Sequence, residues 1–306
     1  MGQVAVDQAY TNEVTDTGEK FWRKDVADLL RVREGFQLSE IDPDSLPGTH
    51  ASKAEGHAEL LRSEQPLREL QERLLARSWA GSRDRVLVVL QAMDAAGKGG
   101  VVNHVFGEIE PYGLGLAAFK APTAEERAHD FLWRVEPKVP VPGVIGVFDR
   151  SHYEDVLVQR VHQFAPPEEI ERRYGAINEF EKRMSDDGVH IIKIMMHISP
   201  EEQYRRLSSR LDEPTKHWKY SESDANERGF WAQHMEAFQI AIERTHTAHA
   251  PWYIVPANSK WYARVAIQRI VIQKLEQLGL TWPPGDFDLE AERARLDATS
   301  GLTWPA

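Results

Sequence analysis

The chain has 306 residues, with an apolar fraction of 42% and a charged fraction of 28%, as in an ordinary globular protein. Its net charge of −11 argues against a general nucleic-acid binder, because phosphate contacts require a basic excess. No stretch approaches the roughly 20 apolar residues that cross a bilayer, so the sequence argues against a membrane protein.

The amino terminus and the residue composition bear on compartment and metal chemistry. The first seven residues lack the basic start and apolar core of a signal peptide. The absence of Cys rules out disulfides and thiolate metal sites, and it fits a soluble cytoplasmic enzyme. The 12 His are scattered without ligand spacing, which argues against a zinc site.

The amino-terminal quarter of the chain is predicted to be helical after a tail. Residues 1–20 are polar and aperiodic, and we expect them to be disordered. Residues 21–80 carry two helical patterns, separated by a turn-rich connector at 42–48. We expect this segment to form a helical extension packed against the main domain.

Short apolar runs then alternate with longer helical patterns. Strands are predicted at 86–90, 116–119, 144–148, 190–198 and 252–255. Helices are predicted at 98–107, 123–135, 151–161, 167–186, 199–211, 223–248 and 259–278. This alternation predicts right-handed βαβ units in a doubly wound parallel sheet, whose ligands bind at the carboxyl ends of the strands.

The loop after the first predicted strand has the composition of a phosphate-binding loop. It reads Gln91-Ala92-Met93-Asp94-Ala95-Ala96-Gly97-Lys98-Gly99-Gly100 and leads into a helix. Small residues allow the backbone to approach phosphate oxygens, the helix amino terminus offers N–H groups, and Lys98 can reach the β and γ oxygens. The alternative is a turn of small residues that only permits tight packing of strand on helix.

The match to the G-x-x-x-x-G-K-[ST] pattern is incomplete. Ala92 stands at the first Gly, and Gly99 replaces the Ser or Thr that normally binds Mg²⁺. Asp94 can supply a hard oxygen ligand instead.

The third predicted strand ends in an acidic residue. Asp149 stands where a Walker B carboxylate would hold the metal, and Arg150 beside it can stabilise charge on a transferring group. The alternative is a structural ion pair next to a helix start. Glu154, in the helix that follows, can assist the metal or the nucleotide or can face solvent.

Basic residues are expected to neutralise the phosphates. Lys120 ends the second strand, and Arg134 closes the helix predicted at 123–135. Residues 205–219 hold five Lys or Arg, among them Arg210, Lys216 and Lys219, against two acids. Because Pro214 breaks the helix, we expect a basic lid over the site. A solvated helix end with capping cations is the alternative.

These motifs together resemble the polyphosphate kinase 2 family. The resemblance covers roughly residues 50–285 and includes the segments Asp94 to Gly100, Phe119 to Thr123, His129 to Arg134 and Asp149 to Val156. It implies a three-layer α/β/α fold related to thymidylate kinases, with a P-loop, the N-terminal helical extension and a helical lid at about 208–222. The phosphotransferase domain would span 81–285, followed by a C-terminal tail at 286–306.

The resemblance also implies a catalytic centre. In it, Asp94, Lys98, Asp149 and Arg150 act on the transferring group. The metal is Mg²⁺, with Mn²⁺ as an alternative, held by Asp94 and Asp149. Basic residues that match Lys120, Arg134, Arg210 and Lys216 line a polyphosphate path. Members of the family form dimers or tetramers and accept ADP, AMP or both.

The expected activity is therefore reversible phosphoryl transfer between inorganic polyphosphate and ADP or AMP, with GDP as a further acceptor to test. No nucleic acid or membrane partner is expected, and we expect a homodimer or homotetramer. Two alternatives remain open. One is an ATP-dependent nucleoside monophosphate or sugar kinase on the same fold, and the other is a non-catalytic P-loop module that binds nucleotide.

Overall fold

The structure is a computed structural model, and it describes residues 20–302. The tail predicted at 1–20 lies outside this range except for its last residue. The strands are β1 (Arg85–Ala92), β2 (Leu114–Ala118), β3 (Ile145–Asp149), β4 (Val189–His197) and β5 (Trp252–Pro256). The helices are α1 (Val26–Leu30), α2 (Lys53–Arg62), α3 (Glu64–Trp79), α4 (Lys98–Val105), α5 (Glu154–Val161), α6 (Pro167–Asp186), α7 (Pro200–Asp212), α8 (Glu222–Glu227), α9 (Trp231–Thr245), α10 (Lys260–Gln277) and α11 (Leu289–Asp297).

The five strands form one parallel sheet in the order β2-β3-β1-β4-β5. β1 is central and pairs with both β3 and β4, and its residues from Arg85 to Gln91 are all buried. A strand covered on both faces needs apolar side chains on both, which explains the unbroken run at 86–90. All five predicted strands are confirmed, with boundaries shifted by one or two residues.

Helices cover the sheet in two groups, which gives the expected three layers. α10 packs against α1, α2, α3 and α4, whereas α5, α6 and α9 pack against one another. Residues 21–80 join the same core, because Phe21, Trp22 and Leu30 are buried in it. The backbone N–H of Val32 also donates to the carbonyl of Trp252 on β5, at 3.0 Å.

Two helix predictions were wrong. Residues 123–135 form no α-helix but only a 3-10 turn, Glu126–Ala128, so that Arg134 lies in a turn. Side chains there bond to nearby backbone: Thr123 and Glu126 cap each other, and Asp130 Oδ1 accepts from the Leu132 N–H at 3.1 Å. The Thr123–Glu126 pair is a capping box, which starts only the 3-10 turn, whereas the Asp130 bond to a backbone N–H two residues on competes with helix formation. The helix predicted at 223–248 is divided into α8 and α9 by a 3-10 turn, Arg228–Phe230.

Both ends of the described range contain helices. Between residues 21 and 80, α2 and α3 are separated only at Ser63, and α1 and a 3-10 turn, Leu38–Glu40, precede them. In the predicted C-terminal tail, α11 has no buried residue.

No helix among residues 20–302 is long and apolar enough to cross a bilayer.

A buried ion pair lies between β4 and the helices on one face. Lys193 Nζ donates to Glu181 Oε2 at 2.6 Å, to the Tyr153 hydroxyl at 2.9 Å and to the Thr245 carbonyl at 2.7 Å. Both charged side chains are fully buried. Burial lowers the pKa of Lys193, and Glu181 opposes that shift. Although burial acts in the opposite direction, Lys193 keeps the pKa of Glu181 below its ordinary value.

Lys193→Met is therefore expected to lower the free energy of unfolding by about 3–5 kcal/mol, because Glu181 would remain as an unpaired buried charge. Urea unfolding measures this loss. Adding Glu181→Gln should recover part of it, since a neutral amide removes that charge. The control is Lys182→Met, which breaks only the exposed pair with Asp186 and should cost less than about 1 kcal/mol. An unchanged urea midpoint in Lys193→Met would contradict the charged state of the pair.

Candidate active site

The loop between β1 and α4 adopts a conformation suited to an anion. Ala95 has φ of +62° and Gly97, the N-cap of α4, has φ of +111°. Left-handed residues curl the backbone tightly before the helix starts, and Gly97 adopts this conformation without the penalty of a Cβ atom. The amino terminus of α4 therefore opens onto the loop, where its N–H groups and the helix dipole favour phosphate.

Lys98 begins α4 and is nearly buried, with 9% of its surface exposed. Its Nζ donates to the carbonyl of Ala92 at 3.1 Å, so the side chain folds back across the loop. Burial lowers the pKa of Lys98, and the nearby Arg150 lowers it further. The carboxylates of Asp94, Asp149 and Glu154 act in the opposite direction and balance this charge.

Arg150 follows β3 directly and stands over the same loop. Its backbone has φ of +62°, which costs a non-glycine residue on the order of 1–2 kcal/mol. Its N–H donates to the carbonyl of Leu90 on β1 at 3.1 Å, and its Nη2 donates to Asp94 Oδ1 at 2.6 Å. Although burial opposes the charged form, Glu154 and Asp94 raise the pKa of Arg150. Backbone strain of this kind is typical of functional sites.

Glu154 is held by residues that the sequence analysis did not select. With the Gln91 amide nitrogen donating to Glu154 Oε1 at 2.9 Å, its oxygen accepts from Ser151 N at 3.1 Å and Ser151 Oγ at 3.0 Å. Burial raises the pKa of Glu154, while Arg150 and Lys98 lower it. Glu154 is therefore half-buried and turned toward the site.

Five of the predicted residues thus converge at the carboxyl ends of β1 and β3. Asp94, Lys98, Asp149, Arg150 and Glu154 are linked by hydrogen bonds or by mutual electrostatic effects. Asp94 and Arg150 remain partly open to solvent, with 27% and 39% of their side chains exposed. Two cations and three carboxylates at one edge of the sheet can bind a phosphate chain and a divalent metal ion.

Lys120 and Arg134 lie at a separate cleft beside the end of β2. This cleft has a volume of about 340 Å³ and is lined by Phe119, Lys120, Thr123, Glu126, Arg134 and Lys138, among others. Lys120 is exposed, whereas Arg134 is buried and donates to the Lys120 carbonyl at 2.8 Å and to Asp155 Oδ2 at 3.1 Å. The Phe119 N–H donates to the Asp149 carbonyl at 3.1 Å, which joins the cleft wall to the end of β3.

The basic segment at 205–219 is largely paired with carboxylates. Arg210 donates to Asp224 Oδ2 at 3.0 Å, and Lys216 donates to Glu213 Oε1 at 2.5 Å. Glu202 pairs with both Arg205 and Arg206. Five Lys or Arg against two acids gave this segment an excess of three positive charges. That count covered only residues 205–219 and left out Glu202 and Asp224, which lie just outside it. Lys219 Nζ lies 4.9 Å from the centre of the Trp218 ring.

Arg206 clamps the phosphate loop and was not selected from sequence. Its Nη1 donates to the carbonyls of Ala96 at 2.5 Å and Ala95 at 3.2 Å. Its Nη2 donates to the carbonyls of Ala257 at 2.6 Å and Asn258 at 2.9 Å, in the loop after β5. One guanidinium thus joins two loops at the carboxyl edge of the sheet.

Two further contacts to the loop were also missed. Gln203 Nε2 donates to the Asp94 carbonyl at 3.0 Å. Arg264 on α10 lies so close to Gly100 that a Cβ there would come within 3.2 Å of its Nη2. Sequence spacing carried no signal for these contacts, because they join residues more than 100 positions apart.

Comparison with known proteins gives consistent matches. The family model described as Polyphosphate kinase 2 matches residues 50–280. The AMP/ADP-polyphosphate phosphotransferase of Meiothermus ruber is 42% identical over 248 residues, which cover 81% of this chain and 91% of that protein. The ADP-polyphosphate phosphotransferase of Rhodopseudomonas palustris is 38% identical over 83% of this chain and 91% of its own length.

A solved structure agrees with the fold. Polyphosphate kinase 2 from Arthrobacter aurescens TC1 superposes with a TM-score of 0.89 at 52% identity, covering 90% of this chain and 98% of that chain. The predicted α/β fold with a parallel sheet and a kinase-like P-loop is therefore confirmed.

Replacing Arg206 tests whether its hydrogen bonds to the loop, and not its charge alone, stabilise the protein. Arg206→Met leaves four backbone carbonyls without their donor, while Glu202 keeps Arg205 as a partner, so we expect the free energy of unfolding to fall by about 3 kcal/mol. Arg205→Met is the matched control, because Arg205 is exposed and bonds only to Glu202 within the described chain. It should change stability by less than about 1 kcal/mol. Equal urea midpoints for the two variants would contradict the clamp.

Proposed function

The chain belongs to the polyphosphate kinase 2 family, and we propose that it transfers phosphoryl groups reversibly between inorganic polyphosphate and a nucleoside mono- or diphosphate. The observation that carries this proposal is the convergence of Lys98 and Arg150 with Asp94, Asp149 and Glu154 at the phosphate loop. Polyphosphate and nucleotides share the phosphoanhydride bond, so donor and acceptor have similar energies and the reaction runs in both directions.

The proposed mechanism depends on positioning and on charge neutralisation. The acceptor is a phosphate oxygen that is already ionised, so no general base is needed. Lys98 and the N–H groups at the start of α4 hold the transferring phosphoryl group, with loop residues Ala95, Ala96, Gly97, Gly99 and Gly100 close to its oxygens. Arg150 stabilises charge on that group as it moves from donor to acceptor.

Asp94 and Asp149 are proposed to hold the divalent metal ion, Mg²⁺ or Mn²⁺. Phosphotransferases of this family generally need a divalent metal. The donor set fits, because three carboxylates act on Lys98 and Arg150 here, and hard cations prefer oxygen ligands. When bound, the ion neutralises phosphate charge. Asp94 would then share its carboxylate between the ion and Arg150, which it contacts now at 2.6 Å.

Five cations outside this centre are proposed to guide the phosphate chains. Lys120 and Arg134 belong to the cleft beside β2, and Arg210, Lys216 and Lys219 belong to the segment proposed as a lid. The pKa of Asp224 is raised by burial and then by Asp94, which supports a lid that lies near the loop. We therefore propose that the cations meet phosphates from two sides.

AMP and ADP are the proposed acceptors. The Meiothermus ruber relative is named for both nucleotides, and the Rhodopseudomonas palustris relative is named for ADP. The segment from Asp149 to Val156, which resembles members that accept AMP, supports acceptance of both. GDP is a further acceptor to test. We also propose a homodimer or homotetramer that acts in the cytoplasm.

The deciding assay uses the purified full chain, Mg²⁺, long-chain polyphosphate and one acceptor at a time: ADP, AMP or GDP. We expect ATP from ADP and ADP from AMP, resolved by anion-exchange chromatography. Transfer from ATP to AMP without any response to polyphosphate would instead identify an ATP-dependent monophosphate kinase. No product with any acceptor would overturn the proposal and favour a nucleotide-binding module.

Lys98→Met should lower kcat/KM by about 100- to 1000-fold, because a charge that stabilises the transferring group is removed from a nearly dry site. Steady-state rates with ADP and polyphosphate measure the effect. Lys53→Met, which changes an exposed residue of α2, is the control and should retain the wild-type rate. Wild-type activity in Lys98→Met would exclude the proposed role of the loop.

A further inference from the structure

A group of three metal-ligating side chains lies outside the site described above. Among residues 20–302, His162, Glu227 and His234 bring their ligand atoms within 4.8 Å of one another. His162 Nε2 is 3.0 Å from Glu227 Oε1, and His234 Nε2 is 2.8 Å from Glu227 Oε2. The three residues come from different elements: His162 follows α5, Glu227 ends α8, and His234 is in the first turn of α9.

We propose that His162, Glu227 and His234 form a binding site for a transition-metal ion of the Zn²⁺ type. Two imidazole nitrogens and one carboxylate oxygen are a donor set that Zn²⁺ uses in proteins, with water in the fourth position. Mg²⁺ prefers oxygen ligands, so this site discriminates against the ion proposed for Asp94 and Asp149.

The distances require little rearrangement. Zn–N and Zn–O bonds of about 2.0–2.2 Å place neighbouring ligands of a tetrahedral ion about 3.3 Å apart. The nitrogen-to-oxygen separations of 2.8 and 3.0 Å are a few tenths of an ångström shorter, and the two imidazole nitrogens lie within 4.8 Å of each other. Rotations of the three side chains that lengthen these two contacts and bring the two imidazole nitrogens to a tetrahedral separation would admit an ion between them.

The surroundings orient the ligands and leave an entrance. Phe164 stacks on the His162 ring with centroids 5.2 Å apart, and Phe230 meets the same ring edge-on at 4.9 Å. Glu227 keeps 27% of its side chain exposed and His162 keeps 17%. An apolar wall beside partly exposed ligands is suited to hold an ion that enters from solvent.

The site ties the proposed lid to the body of the domain. Glu227 is the last residue of α8, whereas His162 follows α5 and His234 lies on α9, and α5 and α9 pack against each other. The next residue, Arg228, donates to Gln203 Oε1 at 2.9 Å, and Gln203 donates to the carbonyl of Asp94. An ion bound here would fix the end of α8 near a chain of contacts that reaches the phosphate loop.

The test is calorimetric titration of Zn²⁺ into the full chain after chelator treatment, near neutral pH and with excess Mg²⁺. We expect a dissociation constant of about 1 µM or below. Glu227→Gln and His162→Gln should each weaken binding by about 100-fold or more, since a lost ligand costs at least as much as a lost supporting contact. Co²⁺ in place of Zn²⁺ should give visible absorption bands in the wild type and lose them in Glu227→Gln.

The double variant His50→Gln/His57→Gln is the matched control, because it removes two exposed His elsewhere and should bind as the wild type does. Thermal unfolding in the presence of chelator checks that each variant is folded. Because two different ligand positions are substituted, the test still works if one of the two variants fails to fold. Absence of Zn²⁺ binding in the wild type, or wild-type affinity in either Glu227→Gln or His162→Gln, would overturn the proposal. Nucleotide and polyphosphate are left out, so this outcome is independent of the transfer assay.

Discussion

The site is organised around one constraint: the positive charge of Lys98 is nearly buried beside the end of β1. Placing an ammonium group in a nearly buried position is costly unless opposite charges and hydrogen bonds surround it. The Ala92 carbonyl and the carboxylates of Asp94, Asp149 and Glu154 supply them. Ala92 ends β1, Asp94 lies in the loop that follows, Asp149 ends β3, and Glu154 begins α5. Strand β3 pairs directly with β1 in the sheet. The parallel order of the strands is therefore what places these charges together.

The same constraint explains why the loop needs support from outside. A backbone that turns its N–H groups toward an anion leaves its carbonyls pointing elsewhere, and buried carbonyls need donors. Arg206 supplies donors for Ala95 and Ala96, and Gln203 supplies one for Asp94. Both residues lie on α7, the helix that leads into the basic segment. Support of the loop and position of the proposed lid are thus coupled through one helix.

Sequence patterns predicted the parts of this structure that depend on local composition. Buried strands show as apolar runs, and a loop such as 92–98 shows as small residues between a strand and a helix. The helix predicted at 123–135 is absent, and Asp130 there accepts from the backbone N–H of Leu132, a turn-forming bond that apolar spacing does not record. Arg206 and Arg264 were missed because their partners come from distant positions. The contact between His162 and Glu227 was missed for the same reason, because they are 65 positions apart in the sequence.

The basic segment at 205–219 pairs its cations with carboxylates, and this pairing affects how an acidic chain could bind a polyanion. The net charge is −11, and Arg210 and Lys216 already contact Asp224 and Glu213. The side chains of Lys216 and Glu213 are 40% and 49% exposed, and exposed pairs of this kind contribute only about 0–1 kcal/mol. A phosphate that takes over such a cation therefore displaces its partner at small cost. Unpaired cations would repel one another before substrate arrives, so the carboxylate partners would hold them in place until a phosphate of the proposed substrate replaced the carboxylate.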